Sequence, residues 1–99
     1  MTMLLLTQAH CAFCEQARAI IDRLATEYDL TVSTLDLATA EGQVRAEAAG
    51  MLFAPGVFLD DVPFSYGRLS ERKLRRAIER RRAIERRRAV AGEGGQDSP

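Results

Sequence analysis

The stretch AHCAFCEQA, residues 9–17, places two cysteines three residues apart, directly after an apolar run and directly before an amphipathic one. Cys11 and Cys14 are the only cysteines of the chain. A bridge between them would close a very short loop, so the pair is a poor device for stabilising a fold. In a reducing compartment, this spacing indicates a catalytic dithiol or a metal site.

The residues around the cysteines have the pattern of a strand followed by a helix. Met3–Gln8 is predicted to be a short buried strand. After the cysteines, apolar residues recur with helical spacing and would form one face of a helix. The pair therefore lies where a strand ends and a helix begins. The residues of the apolar helix face are Phe13, Ala17, Ile20, Ile21, Leu24 and Tyr28.

A second strand and a second helix follow. The stretch Leu30–Leu37 alternates between apolar and polar residues, which predicts a half-buried strand. Thr39 is a suitable N-cap for a helix over Ala40–Ala49, and Gly50 would end it. The inward residues of the strand are predicted to be Leu30, Val32, Leu35 and Leu37.

The next segment predicts a β-hairpin and a third helix. Gly56–Leu59 and Val62–Ser65 would be strands joined by a two-residue turn at Asp60 and Asp61. Pro63 predicts an edge position for the second of them. After a turn at Tyr66–Gly67, the last helix would start near Leu69 or Ser70. The predicted order is β-α-β-α-β-β-α.

The net charge of zero hides a strong asymmetry along the chain. The segment from Arg68 to Arg88 holds eleven of the 14 basic residues and three acids, a net charge of +8. From Arg76 the sequence repeats as RAIERR, and six residues advance a helix by about 600°. No continuous apolar face can form with this period. We therefore predict a folded domain over residues 1–80, a basic helical extension over 81–91 and a disordered tail over 92–99.

Three roles are open for the basic helix. It can be a charged, solvated helix end with Glu-Arg pairs, which is the favoured interpretation. It can dock on an acidic protein partner, or on the acidic face of another copy of the chain. Binding of nucleic acid is the least favoured, because no aromatic residues interleave with the arginines and no groove-reading motif is present.

The hydropathy of the chain predicts a cytoplasmic protein with no membrane contact. No apolar run approaches the roughly 18 residues that span a bilayer. Met3–Leu6 is too short for the apolar core of a signal peptide.

Metal binding is one use of the C-x-x-C spacing. Structural zinc normally takes four ligands, and here only His10, Cys11 and Cys14 are adjacent, so a closed site would need a second chain. Two thiolates before a helix also suit Cu(I). Carriers of that metal usually have Met-x-Cys-x-x-Cys in a β-α-β-β-α-β order, whereas Ala9 occupies the Met position here.

Dithiol exchange suits the predicted placement best. A cysteine at a helix start lies among unpaired backbone N–H groups at the positive end of the helix dipole, which lowers the pKa of its thiol below about 8.5. Cys11 would then attack a disulfide, and Cys14, one turn along, would resolve the mixed disulfide. A protonated His10 would favour the Cys11 thiolate further, or His10 simply caps the loop.

With Pro55 included, the pattern resembles the glutaredoxin branch of the thioredoxin-fold family. The matching stretches LLLTQAHCAFC, GMLFAPGVFLDD and YGRLSERKL stand in the family's order. The resemblance implies a thioredoxin-like α/β fold over residues 1–80, with a four-stranded mixed sheet and three helices, the last extended by the basic repeat. Pro55, five residues after Gly50, matches the family's cis-proline. The backbone of Ala54 would then accept glutathione or a peptide as an added strand.

The resemblance also implies a function. It indicates an electron-transferring enzyme, a dithiol thiol-disulfide oxidoreductase of the glutaredoxin type, that acts on protein or small-molecule disulfides. It implies no tightly bound cofactor, and a low-molecular-weight thiol, glutathione or another, as co-substrate. The alternative is a metal-binding or partner-docking module that uses the C-x-x-C pair and the basic C-terminal helix. The implied catalytic residues are Cys11 and Cys14, and the implied substrate-binding residues are His10, Phe13, Ala54, Pro55, Tyr66, Gly67 and Arg68.

Two departures from the family pattern bear on the thiol donor. Members that use glutathione often carry a lysine three residues before the first cysteine, where this chain has Gln8. They also tend to have an acid at about the position where this chain has Arg68. The cation of Arg68 would repel the γ-glutamyl amine but attract a carboxylate. The sequence therefore leaves the donor open between glutathione, a different small thiol and a protein.

Overall fold

The computed structural model describes the backbone of residues 1–97 and the side chains of residues 1–90. The chain divides into two compact units with the boundary between Leu69 and Ser70. The β-α-β-α-β-β-α order predicted from the sequence is confirmed. Its elements are β1 (Thr2–Thr7), α1 (Ala12–Glu27), β2 (Thr31–Asp36), α2 (Ala40–Ala49), β3 (Gly56–Leu59), β4 (Val62–Tyr66) and α3 (Glu71–Asp97).

The four strands form one mixed sheet in the order β2-β1-β3-β4. Strand β1 runs parallel to β2 and antiparallel to β3, and β4 is antiparallel to β3. In this register Leu6 lies opposite Leu35 on one side and Gly56 on the other. The central position of β1 explains its run of leucines, because a strand with neighbours on both sides and helices above and below has little exposed surface. Met3, Leu5 and Leu6 are buried, and Leu4 is half-buried.

Side chains alternate across β1, so the sheet has two apolar faces. Leu6 packs with Phe58 of β3 and Ala46 of α2 on one face. Met3 and Leu5 project to the opposite face, where the crossover from β1 to β2 places α1. This arrangement fixes the direction in which α1 leaves the end of β1. The buried residues of α1 are Cys14, Ala17, Ile20, Ile21 and Leu24.

Helix α2 has the bounds that its end signals predict. The N–H of Gly42 donates to Oγ1 of Thr39 at 3.0 Å, which satisfies one of the free donors of the first turn. The Thr39 hydroxyl in turn donates to the carbonyl of Asp36 at 2.7 Å. At the other end Gly50 adopts φ 70°, the left-handed conformation in which glycine has no steric cost.

Replacing Thr39 with alanine is expected to lower the free energy of unfolding by about 1 kcal/mol, because the amide of Gly42 loses its acceptor. Urea denaturation followed by circular dichroism measures this difference. Thr39→Ser keeps the hydroxyl and is the matched control. An equal loss in both variants would show that the methyl group, and not the cap, stabilises this helix.

The hairpin between β3 and β4 also follows the prediction. Asp60 and Asp61 both have positive φ, 49° and 65°, which is the conformation of a tight two-residue turn. Strand β4 is an edge of the sheet, as Pro63 predicts. The pairing of β3 with β4 shifts register between Val57 and Phe58.

The inward position predicted for Val32 is wrong. Residues 31–34 are all exposed, and Val32 has 36% of its surface accessible. The reason is topological, because β2 is the other edge of the sheet, and Val32, opposite Met3, lies on its α1 face at an end that stays exposed. Leu35, opposite Leu6, lies on the α2 face and is half-buried. Alternation in the sequence identifies the strand but does not say how much of it a helix covers.

Helix α3 begins one residue after Ser70, whose hydroxyl accepts the N–H of Lys73 at 3.2 Å. Leu74 and Ile78 are completely buried, whereas Ile84 and Val90 are exposed, as the period of six predicts. The helix extends to Asp97, through most of the predicted tail, and Ser98 and Pro99 lie outside the described residues. The division into residues 1–80, 81–91 and 92–99 stays a prediction. None of the described helices combines the length and hydropathy needed to cross a membrane.

Candidate active site

The two cysteines lie at the start of α1 and form a disulfide, with their Cα atoms 5.2 Å apart. Cys11 is the N-cap, with extended backbone angles, and its Sγ accepts the N–H of Cys14 at 3.1 Å. The carbonyl of Cys11 accepts from the N–H groups of Cys14 and Glu15 at 3.1 and 3.2 Å. Cys14 is 5% exposed and Cys11 is half-buried. Cys11 is therefore the more exposed residue of the pair, as the sequence predicts.

A hollow of about 320 Å³ opens beside the disulfide. His10 lies at its rim, exposed, with φ 53°, a left-handed conformation uncommon for a residue other than glycine. Arg18 is a lining residue that the sequence analysis did not name as part of the site. The available signal was its position four residues after Cys14, which places the two side chains on one helix face. The lining residues are Thr7, Gln8, His10, Cys11, Cys14, Glu15 and Arg18.

The predicted cis-proline is present. The peptide bond between Ala54 and Pro55 is cis, and the carbonyl of Pro55 accepts the N–H of Gly67 at 2.7 Å. Gly67 has φ 84° and is buried. Pro55 is fully buried and Ala54 is 6% exposed. The residues predicted from the proline side of the site, Ala54, Pro55, Tyr66 and Gly67, are thus adjacent, and Arg68 follows them as an exposed cation.

An aromatic pair lies next to residues 54–55, which we call the proline loop. The rings of Phe53 and Tyr66 meet edge to face with centroids 5.1 Å apart. A Cβ atom at Gly67 would lie 3.2 Å from Cε1 of Phe53, so glycine leaves the room that this ring needs. Phe53 is 51% exposed and Leu52 is 78% exposed. The sequence prediction missed both, although two large apolar residues in the short connection before a strand were a usable signal.

The strand register relates the cysteines to the proline loop. Because Leu6 pairs with Gly56, Pro55 extends from β3 at the sheet end where β1 finishes and the segment to Cys11 begins. Both groups therefore lie at one end of the sheet, although the hollow beside the cysteines contains no residue of the proline loop.

Two positions were open for Phe13, the buried helix face and an exposed one that could contact substrate, and the structure shows the exposed one, at 51%. Substrate contact at Phe13 stays a prediction. The helical period gives the direction of the Phe13 side chain around the helix axis, but Phe13 lies in the first turn of α1. Helical period does not show how far the neighbouring layer reaches along the helix.

The cysteine pair can alternate between a disulfide and two thiols. In the reduced form, the N–H of Cys14 and the helix start would stabilise a thiolate at Cys11 over a thiol. Among the described residues, no group of three or more histidine, cysteine or acidic side chains is arranged to hold a metal ion. The geometry of this site is that of a thiol-disulfide exchange centre.

No protein-family model matches the chain, and no curated protein matches it. Solved structures do. A mutant thioredoxin from Halobacterium salinarum is 24% identical, with a TM-score of 0.60, over 79% of this chain and 71% of that one. Thioredoxin 1 from Thermosipho africanus is 18% identical, with a TM-score of 0.66, over 87% of this chain and 99% of that one.

Oxidised thioredoxin O2 from Arabidopsis thaliana is similar in the same way, at 19% identity and a TM-score of 0.61 over 80% of this chain and 72% of that one. Identities this low show the fold alone. The element order, the mixed sheet and the three structural matches agree on that fold. This chain is a thioredoxin-fold protein.

Proposed function

We propose that the chain is a dithiol thiol-disulfide oxidoreductase of the glutaredoxin type. The observation that carries the proposal is the Cys11–Cys14 disulfide at the start of α1, with Cys11 as the more exposed residue of the pair and as acceptor of the Cys14 amide. The thioredoxin fold supports the thiol-disulfide part of this proposal, since the structural neighbours with this fold are thioredoxins. The glutaredoxin type rests on the resemblance of the sequence.

The proposed reaction has two exchange steps. The Cys11 thiolate attacks one sulfur of a substrate disulfide, forming a mixed disulfide and releasing the other substrate sulfur as a thiolate. Cys14 then loses its proton and attacks the Cys11 sulfur, which releases the second substrate thiol and leaves the Cys11–Cys14 disulfide. Two electrons pass from the protein to the substrate, and two thiols from a donor restore the reduced pair. Because Cys14 is 5% exposed, it is suited to the internal attack and not to the first one.

We propose that substrate binds along the proline loop. The N–H and C=O of Ala54 form no hydrogen bond with any residue in the described part of the chain, so an extended substrate segment can pair with them. Tyr66 and Phe13 offer exposed aromatic surface, with exposed fractions of 40% and 51%. Arg68 and His10 are exposed polar groups that we also propose to contact substrate.

The co-substrate is proposed to be a low-molecular-weight thiol, glutathione or another, with no tightly bound cofactor and with a cytoplasmic location. Gln8 and Arg18 in the hollow beside the cysteines would meet this thiol, and Arg18 would attract a carboxylate.

Turnover of a protein disulfide tests the proposal. The reduced chain is supplied in parallel with glutathione and its reductase, with other small thiols, and with a thioredoxin reductase. Catalytic reduction with at least one donor is the expected result, and the fastest donor is identified at the same time. Background rates with every donor, together with stoichiometric retention of Cu(I) or zinc by the reduced chain, would instead support the metal-binding alternative.

The pKa of the reduced Cys11 thiol is expected to lie below the ordinary value of about 8.5, because the thiolate accepts the Cys14 amide at the positive end of α1. The pH dependence of alkylation by iodoacetamide, with each modified cysteine located by peptide mass spectrometry, measures it. Cys14 serves as the internal comparison, since it is buried. A Cys11 that alkylates only at the pH of an ordinary thiol would remove this part of the proposal.

A further inference from the structure

We propose that the exposed basic face of α3 binds the exposed acidic face of α2 in a second copy of this chain. The two compact units carry opposite charges. Residues 1–69 contain nine acids and four bases, whereas the remainder contains ten bases and five acids. Because the net charge of zero is divided in this way, the negative unit of one copy can attract the positive unit of another.

The cations of α3 are concentrated on one side of the helix. Seven of them are exposed and form no ion pair with any described residue. At 100° per residue, all of these except Arg88 fall within an arc of about 140°, which we call the basic face. The exposed acid Glu79 falls within the same arc, so the face carries six cations and one acid. Like charges one turn apart repel, so an external anionic surface is favourable there. The seven residues are Arg72, Lys73, Arg76, Arg80, Arg86, Arg87 and Arg88.

The basic face has an apolar centre. Ala83 and Val90 fall within the same arc and form a shallow depression with Arg86 and Arg87. Val90 is 66% exposed. A helix face that only keeps a protein in solution has no need of an exposed valine between arginines, whereas apolar side chains flanked by arginine are typical of protein interfaces. The described face carries no aromatic side chain on which nucleic-acid bases would stack.

Helix α2 presents the complementary pattern. Val44 is 65% exposed, and it lines a second shallow depression with Ala48 and Asp61. Glu41 and Glu47 are exposed on the same side of the helix, within about 120° of arc. These five residues form what we call the acidic face.

One base, Arg45, lines the same depression, and its charge is paired with the Asp61 carboxylate of the acidic face. Arg45 donates from Nη2 to Oδ1 of Asp61 at 3.3 Å, and its guanidinium carbon lies 4.9 Å from the ring centroid of Phe58. Arg45 is therefore held in place and does not neutralise Glu41 or Glu47, neither of which has an ion-pair partner among the described residues.

The two faces match in chemistry and in layout. Arginines flank a small apolar centre on α3, and glutamates flank a small apolar centre on α2. A contact between unlike surfaces is heterologous, so the copies either close into a ring or extend as a chain. Because the flanking charges stay exposed to solvent at the rim, the contact must weaken as salt shortens the screening length from about 30 Å at 0.01 M to about 3 Å at 1 M.

Sedimentation velocity of the full chain under reducing conditions tests the proposal over a range of protein and salt concentrations. Dimers or longer assemblies at low salt that dissociate at high salt are the expected result. Arg87→Glu is expected to weaken association at least tenfold, which corresponds to about 1.4 kcal/mol. Arg88→Glu makes the same charge change outside the basic face, and at 0.15 M salt, where the screening length is about 8 Å, it should weaken association less than Arg87→Glu does.

The partner surface is tested by a charge exchange. Glu47→Arg should weaken association as Arg87→Glu does, and mixing the two variants should restore one class of contact. This recovery cannot come from misfolded protein. Asp22→Arg on the exposed side of α1 is the control for the acidic face.

Three results would overturn the proposal. The first is a monomer at every salt concentration, and the second is equal weakening by Arg87→Glu and Arg88→Glu. The third is salt-dependent binding of duplex DNA by a chain that stays monomeric, which would assign the basic face to nucleic acid.

Discussion

Replacing Cys11 with serine is expected to lower disulfide reduction by at least about 10³-fold, to the level of the uncatalysed donor reaction. A serine hydroxyl stays protonated in the pH range where a cysteine at a helix N-cap is a thiolate, so the nucleophile is lost. Cys14 cannot replace it, because its side chain is buried behind the first helical turn. The rate of protein disulfide reduction at saturating donor measures the loss.

The matched control is Ala19→Ser, which places the same hydroxyl at an exposed position of α1 away from both sulfurs. Its activity should stay within about twofold of the unmodified chain, since surface changes away from special features have small effects. Full activity in Cys11→Ser would contradict the assignment of Cys11 as the nucleophile.

Cys14→Ser should have a different outcome from Cys11→Ser. Without the resolving thiol, and with no small thiol present, the first exchange step stops at a mixed disulfide on Cys11. Intact-mass spectrometry after one turnover should show the chain with one substrate attached, and peptide mapping should locate it. If Cys14→Ser completes the reaction without an adduct, Cys14 has no resolving role.

Gly42→Ala is expected to lower the free energy of unfolding by about 2–3 kcal/mol, the range of an overpacked site. A Cβ atom there would clash with the carbonyl oxygen of Asp36 and lie 3.0 Å from the Cα atom of Leu37. Both are backbone atoms, and the N–H of Leu37 is bonded to the carbonyl of Thr7 at 2.7 Å, so the chain cannot simply move aside. The helix propensity gained from alanine, about 1 kcal/mol, is smaller than this cost.

Urea denaturation gives the size of the effect, and Gln43→Ala provides the comparison. Gln43 is the next residue of α2 and is exposed, so its replacement should change stability by no more than about 0.5 kcal/mol. A Gly42→Ala variant as stable as the unmodified chain would mean that α2 can shift away from the end of β2.

The parts of the fold that the sequence predicts well are those with local causes. Thr39 and Gly50 set the bounds of α2 through contacts within a few residues, and Asp60 with Asp61 sets the hairpin in the same way. The cysteine pair belongs to this class, because its place at a helix start follows from the residues on either side. The glutaredoxin-type resemblance adds Pro55, whose cis bond is present.

The features that the sequence could not predict depend on which distant parts of the chain pack against a residue. Val32 alternates correctly for a buried strand but lies on a sheet edge that nothing covers along residues 31–34. Phe53 became part of the candidate site because β3 and β4 bring Tyr66 beside it, and no spacing in the chain encodes that contact.

The contact between Phe53 and Tyr66 also makes Tyr66 an intrinsic fluorescence reporter for the proline loop. The sequence has no tryptophan and two tyrosines. Tyr28 caps the far end of α1, about 24 Å of helix away from Cys11, whereas Tyr66 stands at the proline loop. In a Tyr28→Phe background, ultraviolet emission would come from Tyr66 alone, and docking of a target could be followed in real time without attaching a dye.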